Sequence, residues 1–444
     1  MSLVEGSLTS AVSVRGRAFW LGFPALVLAF VVAQVLAQID LMMLGRQAPG
    51  MPAAYVMLTR LALVDLLAVM ALGSVVSVWV ARAVRNADAA PVIRWALTLA
   101  AGVGLVLSGL AWAVYPHLIP YLAGDDAELR QMIRSAIPWF AAAAPLRLLN
   151  GCGAFVLHAT QQGRRVVRWK LWELLAKVLL NLLLIEVLGY GFAGCFMASL
   201  LMQLGSAAWL LHHLRRQVGA GPWLPSWPWA RSVLAQSAWE GQRLLSMQLL
   251  GLVTLALFAS PRIAQVDAQR LDGFAAGTVL ALLVFSPLVA LIRFLAMRFA
   301  GLGATEVRRL LGELWRLGVP IMALLAVLLS VVAPGLGLLV YGQQGTWWTT
   351  FVVMLALSLP LRLVTNTLRA ALQSQGAFVG LAKVDSLLGW GVGLPLLVLG
   401  LHLQAPAIAY SYLLVPEGLA LLWLAASFRR LGSGRPQKRE HPDA

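Results

Sequence analysis

The chain has 444 residues, of which 60% are hydrophobic and only 12% charged, and its mean hydropathy is +0.81. A soluble domain carries about 25% charged residues, so the composition excludes an ordinary soluble protein and describes a polytopic membrane protein. The net charge of +16 does not point to nucleic acid, because the basic residues sit in short connections between apolar runs, where they orient a membrane protein.

Twelve apolar segments follow one another at about 18–44, 54–81, 92–119, 132–160, 166–188, 192–214, 240–260, 274–298, 315–339, 347–373, 380–400 and 406–428. Each reaches the length of about 20 residues that a membrane helix needs. The first run is too long for a signal peptide and lacks a small-residue cleavage site, so it is expected to remain as the first helix. Connections on one side hold 23 Lys and Arg residues, among them Arg82, Arg165, Arg168, Arg215 and Arg309, against 5 on the other. The bias places both termini in the cytoplasm, with the chain in a bacterial inner membrane. Cys152 and Cys195 lie within apolar segments and imply no disulfide framework.

The longest connection, 217–237, carries Pro222, Pro225 and Pro228, which forbid a regular helix at its start. Trp223, Trp227 and Trp229 suit a headgroup region. The expected fold is all-α, with twelve transmembrane helices in two six-helix pseudo-symmetric lobes. The N-terminal lobe is 1–216, an interfacial linker covers 217–237, the C-terminal lobe is 238–428 and a cytoplasmic tail is 429–444. A repeat supports two lobes: Pro145-Leu146-Arg147-Leu148 in segment four and Pro360-Leu361-Arg362-Leu363 in segment ten. Gln162-Gly163 and Gln375-Gly376 follow, and Lys170 and Lys383 open the next segments. Parallel repeats of this kind imply a site between the lobes.

Asp40 stands near the end of segment one, Asn150 in segment four, Asn181 in segment five and Ser199 in segment six. A carboxylate with amide and hydroxyl partners is what a proton or sodium site needs. Two placements are open for Asp40, an intramembrane site or a solvated position at the interface. Each neutral residue alone reads equally as an interhelical hydrogen bond. Arg147 and Arg362 occupy matched places in apolar helices with no acid within a helical turn. If they face a cavity, the cargo is anionic; if they lie near helix ends, they snorkel to headgroups. Arg60 is expected to pair with Asp65, Arg243 with Glu240, and Glu173 with Lys177. The six histidines show no metal-ligand spacing, and there is no P-loop or catalytic order of Ser, His and Asp. An enzyme and a resident cofactor are therefore not expected.

The spacing Pro24…Ile39-Asp40…Leu44-Gly45 resembles the first helix of the multidrug and toxic compound extrusion (MATE) transporters, of the multidrug/oligosaccharidyl-lipid/polysaccharide (MOP) flippase superfamily. GFAGCFMAS at 191–199 is similar to the opening of that family's helix six, with Ser199 where Thr is usual, and Asn181 stands where the family has an asparagine. LRAALQSQG at 368–376 and FAGLGATEVRRL at 299–310 resemble its helix-ten end and the connection after helix eight. Three features depart from the pattern. Leu41 replaces a common Thr. Ile185 stands where a second acid is expected, with Glu186 one position off. In segment seven the only acid is Glu240, at its start, while Gln248 lies nearer the middle and is a candidate cargo contact.

The resemblance implies a secondary-active exporter of an organic metabolite or drug, coupled to protons or sodium, with two lobes rocking around a small-molecule site, working as a monomer. The coupling site would be Asp40, Asn150, Asn181 and Ser199, in the N-terminal lobe only, and the cargo contacts Arg147, Arg362 and Gln248. A flippase of lipid-linked saccharide or peptidoglycan precursor in the same superfamily is the alternative, since such cargo carries phosphates. A major facilitator transporter is a third, but its basic signature is missing from 80–91. A membrane-embedded enzyme would need clustered carboxylates or histidines at one membrane face.

Overall fold

A computed structural model of the chain describes residues 13–48, 51–61, 63–123, 126–260 and 268–432. Every expected apolar segment is helical, and no strand occurs among the described residues. The spans are α1 (Phe23–Gln47), α2 (Ala54–Arg85), α3 (Ala89–Ala123) and α4, a pair of Ala127–Ala142 and Ala144–Ala159. Next come α5 (Gly163–Asn181, prolonged by Leu182–Val187), α6 (Gly191–Val218) and α7 (Trp227–Ala259). Then follow α8 (Ala268–Phe299), α9 (Ala304–Tyr341), α10 (Thr346–Ser374), α11 (Phe378–His402) and α12 (Pro406–Arg430). Among the described residues nine stretches are long and apolar enough to cross a bilayer and the bent α4 makes a tenth; α1 and α5 complete the twelve. The protein is thus an all-α, multi-pass membrane protein. The tail beyond 432 and the Arg60 side chain lie outside the described residues.

The chain divides into two compact units, Gly22–Gly241 and, joined together, residues up to Leu21 with Gln242 onward. The division falls inside α7 and at the start of α1, neither of which coincides with the expected linker. Segment one does not begin at residue 18 as a single helix. Gly22 has φ of +100° and Pro24 follows in the first helical turn, where its missing N–H is no loss, so α1 starts afresh at Phe23. The turn before it, Arg17–Trp20, packs with the second unit: the Trp20 ring stacks on Phe294 at 5.8 Å. Arg298 donates to the Leu21 carbonyl at 2.9 Å, and the Val14 amide to Glu313 at 3.1 Å.

The linker is more ordered than its prolines suggest. Arg94 of α3 donates to the carbonyls of Val218, Ala220 and Pro222, which end α6 and begin the linker. Gly221, at φ +146°, leaves room for that guanidinium; a Cβ there would lie 2.4 Å from Arg94 Nη2. Trp223 and Trp227 are exposed, but Trp229 is buried between Trp79 and Trp95 rather than at a headgroup surface.

The two PLRL segments differ in local structure. Pro145 opens the second half of α4, which bends by 49°. Proline has no N–H to continue the ladder, and the kink follows. Pro360 removes the same bond, yet α10 runs through it, with Ser358, Leu359, Leu363 and Thr365 all buried against neighbours. The repeat is clearer one helix later. Both α5 and α11 contain a π-helical turn, where the Leu188 amide donates to Leu183 and the Leu394 amide to Gly389. Such turns shift the helix face by one residue and recur at functional sites.

Helix α3 reaches the kink because position 104 is glycine. A Cβ on Gly104 would stand 2.4 Å from Pro145 Cα, whereas one on Gly109, farther along α3, would meet nothing within 4 Å. Gly104→Ala is therefore expected to lower stability by about 1–3 kcal/mol, the usual cost of overpacking, and Gly109→Ala to leave it unchanged or slightly raised. Melting temperatures of the two purified variants in detergent check the difference.

Candidate functional site

Four helices of the first unit converge on Asp40. Its carboxylate is 6% exposed, so it is not a solvated interface residue. Asn181 Nδ2 of α5 donates to Oδ1 at 2.7 Å, and Tyr55 of α2 donates its hydroxyl to Oδ2 at 3.2 Å. Lys177 Nζ, one turn before Asn181, forms an ion pair with Oδ1 at 3.2 Å. The same ammonium donates to the Cys195 carbonyl and to Ser199 Oγ of α6, each at 2.7 Å.

This corrects the expected Glu173–Lys177 pair. Glu173 is held by Lys170 Nζ at 2.7 Å and by the Ser206 hydroxyl at 2.5 Å, which leaves Lys177 to Asp40. Of the four expected coupling residues, Asn181 touches Asp40 directly and Ser199 reaches it through Lys177. Asn150 does not belong to that shell. Its amide donates to the carbonyl and the Oε1 of Gln203 at 2.9 and 2.6 Å, and its own Oδ1 is buried without a partner.

A cavity of about 330 Å³ lies beside the cluster. Asp40, Lys177, Ser199 and Gln203 line it, and so does a second ion pair, Asp65 with Arg147. Arg147 was expected to have no acid nearby in sequence. The fold supplies one from α2: its Nε and Nη2 both donate to Asp65 Oδ2, Nη1 donates to the Phe140 carbonyl at 2.9 Å, and the guanidinium lies 4.2 Å over the Phe140 ring. Asp65 is thus taken by Arg147. The cavity wall carries two carboxylates and two cations and is balanced in charge.

The second unit holds a buried cluster that the sequence reading did not anticipate. Arg369 of α10 is its hub. It contacts Asp385 of α11 at 2.9 and 3.2 Å and Glu417 of α12 at 2.6 and 2.9 Å. Thr365 donates to Glu417 at 2.6 Å, and Arg243 of α7 pairs with Asp385 at 3.1 Å. A cavity of about 140 Å³ is lined by Arg369, Asp385, Glu417 and Arg362. Arg362 differs from its repeat counterpart: its Nε is buried without a hydrogen-bond partner, and among the described residues no carboxylate forms an ion pair with it. Its guanidinium lies 4.1 Å over the Phe285 ring. Here Arg369 and Arg243 hold the two carboxylates, and Arg362 stands beside them. Gln248 stands on the exposed face of α7 and does not line this cavity, whereas its neighbours Met247 and Leu250 do.

Some of this was readable. Lys177 and Asn181 are four residues apart and so share a helix face. Asp385 and Glu417 each stand alone in an apolar run, the usual mark of a functional or paired charge. Tyr55 carried no sequence signal.

Comparison with solved structures gives the fold, which is that of the MATE transporters of the MOP superfamily. A MATE transporter carrying a proline-to-alanine substitution matches with a TM-score of 0.80 at 14% identity, covering 94% of this chain and 97% of that one. A mutant of the Vibrio cholerae MATE transporter VcmN matches at 0.78 and 15%, covering 93% and 95%. A MOP superfamily transporter from Pyrococcus furiosus, described as having a binding pocket of reverse polarity, matches at 0.78 and 14%, covering 93% and 96%. No family model and no curated protein sequence matches the chain.

Losing the partner of a buried charge costs about 3–5 kcal/mol. Arg369→Gln strands Glu417 and leaves Asp385 to Arg243, and is expected to destabilise the protein by about that much. Glu417→Gln is expected to cost less, because Arg369 keeps Asp385. Thermal unfolding of both variants in detergent gives the order.

Proposed function

We propose that the chain is a secondary-active exporter of MATE type, which moves an organic small molecule out of the cytoplasm in exchange for protons, with Asp40 as the proton-carrying group. One observation supports the ion chosen: Asn181 and Tyr55 donate to the Asp40 carboxylate, and Lys177 forms an ion pair with it. A hard metal cation needs several oxygens turned toward it, and here an ammonium already occupies the cationic place. A proton needs only the carboxylate itself.

The charge balance of the cavity then describes the exchange. With Asp40 ionised, the wall is neutral. A proton arriving from the outer side binds a carboxylate oxygen of Asp40, cancels its charge and leaves Lys177 unbalanced, so the cavity gains one positive charge. A cationic cargo is repelled and leaves outward; release of the proton to the cytoplasm restores the neutral wall for the next one. Proton and cation thereby weaken each other's binding, which is the reciprocity antiport requires. The reading carries with it a bacterial cytoplasmic membrane, both termini on the cytoplasmic side, and a monomer as the working unit.

Arg362 favours a second reading, transport of an anionic cargo, including a lipid-linked saccharide or peptidoglycan precursor. A guanidinium in a cavity can hold a carboxylate or phosphate through two parallel hydrogen bonds, which lysine cannot reproduce.

In everted vesicles, Asp40→Asn is expected to abolish transport driven by a pH gradient. The charge-matched pair Asp40→Asn with Lys177→Gln separates coupling from folding: it removes both charges together and is expected to be equally inactive while keeping its melting temperature. Full transport by either variant, or transport driven by sodium and indifferent to pH, would reject proton coupling at Asp40. Arg362→Lys decides the cargo. Unchanged efflux of organic cations supports the first reading, and selective loss of anion transport supports the second.

A further inference from the structure

A third cavity belongs to neither charge cluster. It measures about 620 Å³ and opens where α5 begins and α6 ends. Its cations are Arg165 and Arg168 of α5 and Arg215 of α6, with His212, Trp172 and Trp209 among its aromatic walls. Among the described residues no carboxylate lines it. The floor is rigid: the Trp169 and Trp209 rings stack at 5.0 Å, and His213 stacks on Trp209 at 3.9 Å while its Nδ1 donates to the Trp209 carbonyl at 2.9 Å. Arg165 is anchored by Gln162 Oε1 at 2.7 Å, which leaves most of its donors free to turn inward.

We infer that this cavity binds the headgroup of an anionic phospholipid from the cytoplasmic leaflet. Its position follows from the chain: these arginines belong to the heavily basic side, which is cytoplasmic by the orientation rule. Trp172, 69% exposed, lies nine residues along α5 from Gly163, about 13 Å of helical rise, the depth at which tryptophan marks a membrane interface. Deeper than the cations, both helices present continuous apolar faces: Leu171, Leu175 and Leu179 on α5, and Leu201, Leu204 and Leu211 on α6, all exposed. A phosphate seated among the arginines would thus have its acyl chains laid directly along these leucines. A soluble phosphate would use the cations and leave the apolar faces unused. Basic pockets between transmembrane helices on the cytoplasmic side suit anionic headgroups, and each Arg near the surface adds to the attraction.

The test uses the full-length protein purified in detergent and native mass spectrometry. The probes are phosphatidylglycerol, phosphatidylcholine with the same acyl chains, and glycerol phosphate as the soluble headgroup alone. The wild type is expected to retain phosphatidylglycerol at least about tenfold more strongly than phosphatidylcholine, and glycerol phosphate is expected not to compete at equal concentration. Arg165→Gln, Arg168→Gln and Arg215→Gln together should remove the preference. These side chains are exposed, so the melting temperature without added lipid should stay unchanged; Arg215→Gln alone should weaken retention severalfold if the triple variant fails to fold. A control, Arg316→Gln with Arg429→Gln, removes two exposed cations elsewhere on the basic side and should keep the preference. The inference is overturned if the triple variant retains the preference, if the control loses it equally, or if glycerol phosphate displaces the lipid at equal concentration.

Discussion

A charge inside hydrocarbon has to find a partner, and in this protein four buried carboxylates find theirs on another helix. Asp40 of α1 is held by Lys177 of α5, Asp65 of α2 by Arg147 of α4, and Glu417 of α12 by Arg369 of α10. Asp385 of α11 is shared between Arg369 and Arg243 of α7. The apolar surfaces give the helices little reason to choose one neighbour over another, because lipid tails are as apolar as leucine. Directed ion pairs do discriminate, since the wrong neighbour leaves a buried charge alone. They tie α1 to α5 and α2 to α4 in one unit, and α7, α10, α11 and α12 in the other.

Backbone irregularities bring those side chains to depth. The 49° bend of α4 falls between Phe140 and Arg147, so the guanidinium folds back over the ring seven residues earlier while still reaching α2. The π-helical turn of α5 begins immediately after Asn181, and that of α11 lies four residues beyond Asp385. In both units the polar residue sits on the regular side of the irregular turn. The repeat is thus expressed in backbone geometry, although the charged residues on it differ in kind: an amide and a lysine in α5, a carboxylate in α11.

Each cavity is lined by two carboxylates and two cations, Asp40, Asp65, Lys177 and Arg147 in the first and Asp385, Glu417, Arg369 and Arg362 in the second. They differ in pairing: both cations of the first hold a carboxylate, whereas Arg362 forms no ion pair among the described residues. Buried pairs of this sort add little net stability relative to apolar packing.

The fold class was legible in the chain because hydrophobicity over a span of about 20 residues depends on the lipid and hardly on the neighbours. The twelve helical segments could therefore be read one at a time. Asp40, Asn181 and Ser199 were also legible, as polar residues in places where water cannot satisfy them. The partners were not. Pairing guesses made within a helical turn sent Lys177 to Glu173 and left Arg147 without an acid, while the folded chain gives Lys177 to Asp40, 137 positions away, and Arg147 to Asp65, 82 positions away. The physical reason is that a long cationic side chain spans the gap between adjacent helices as easily as one turn of its own. Which helices are adjacent is decided only when all the buried charges are neutralised together.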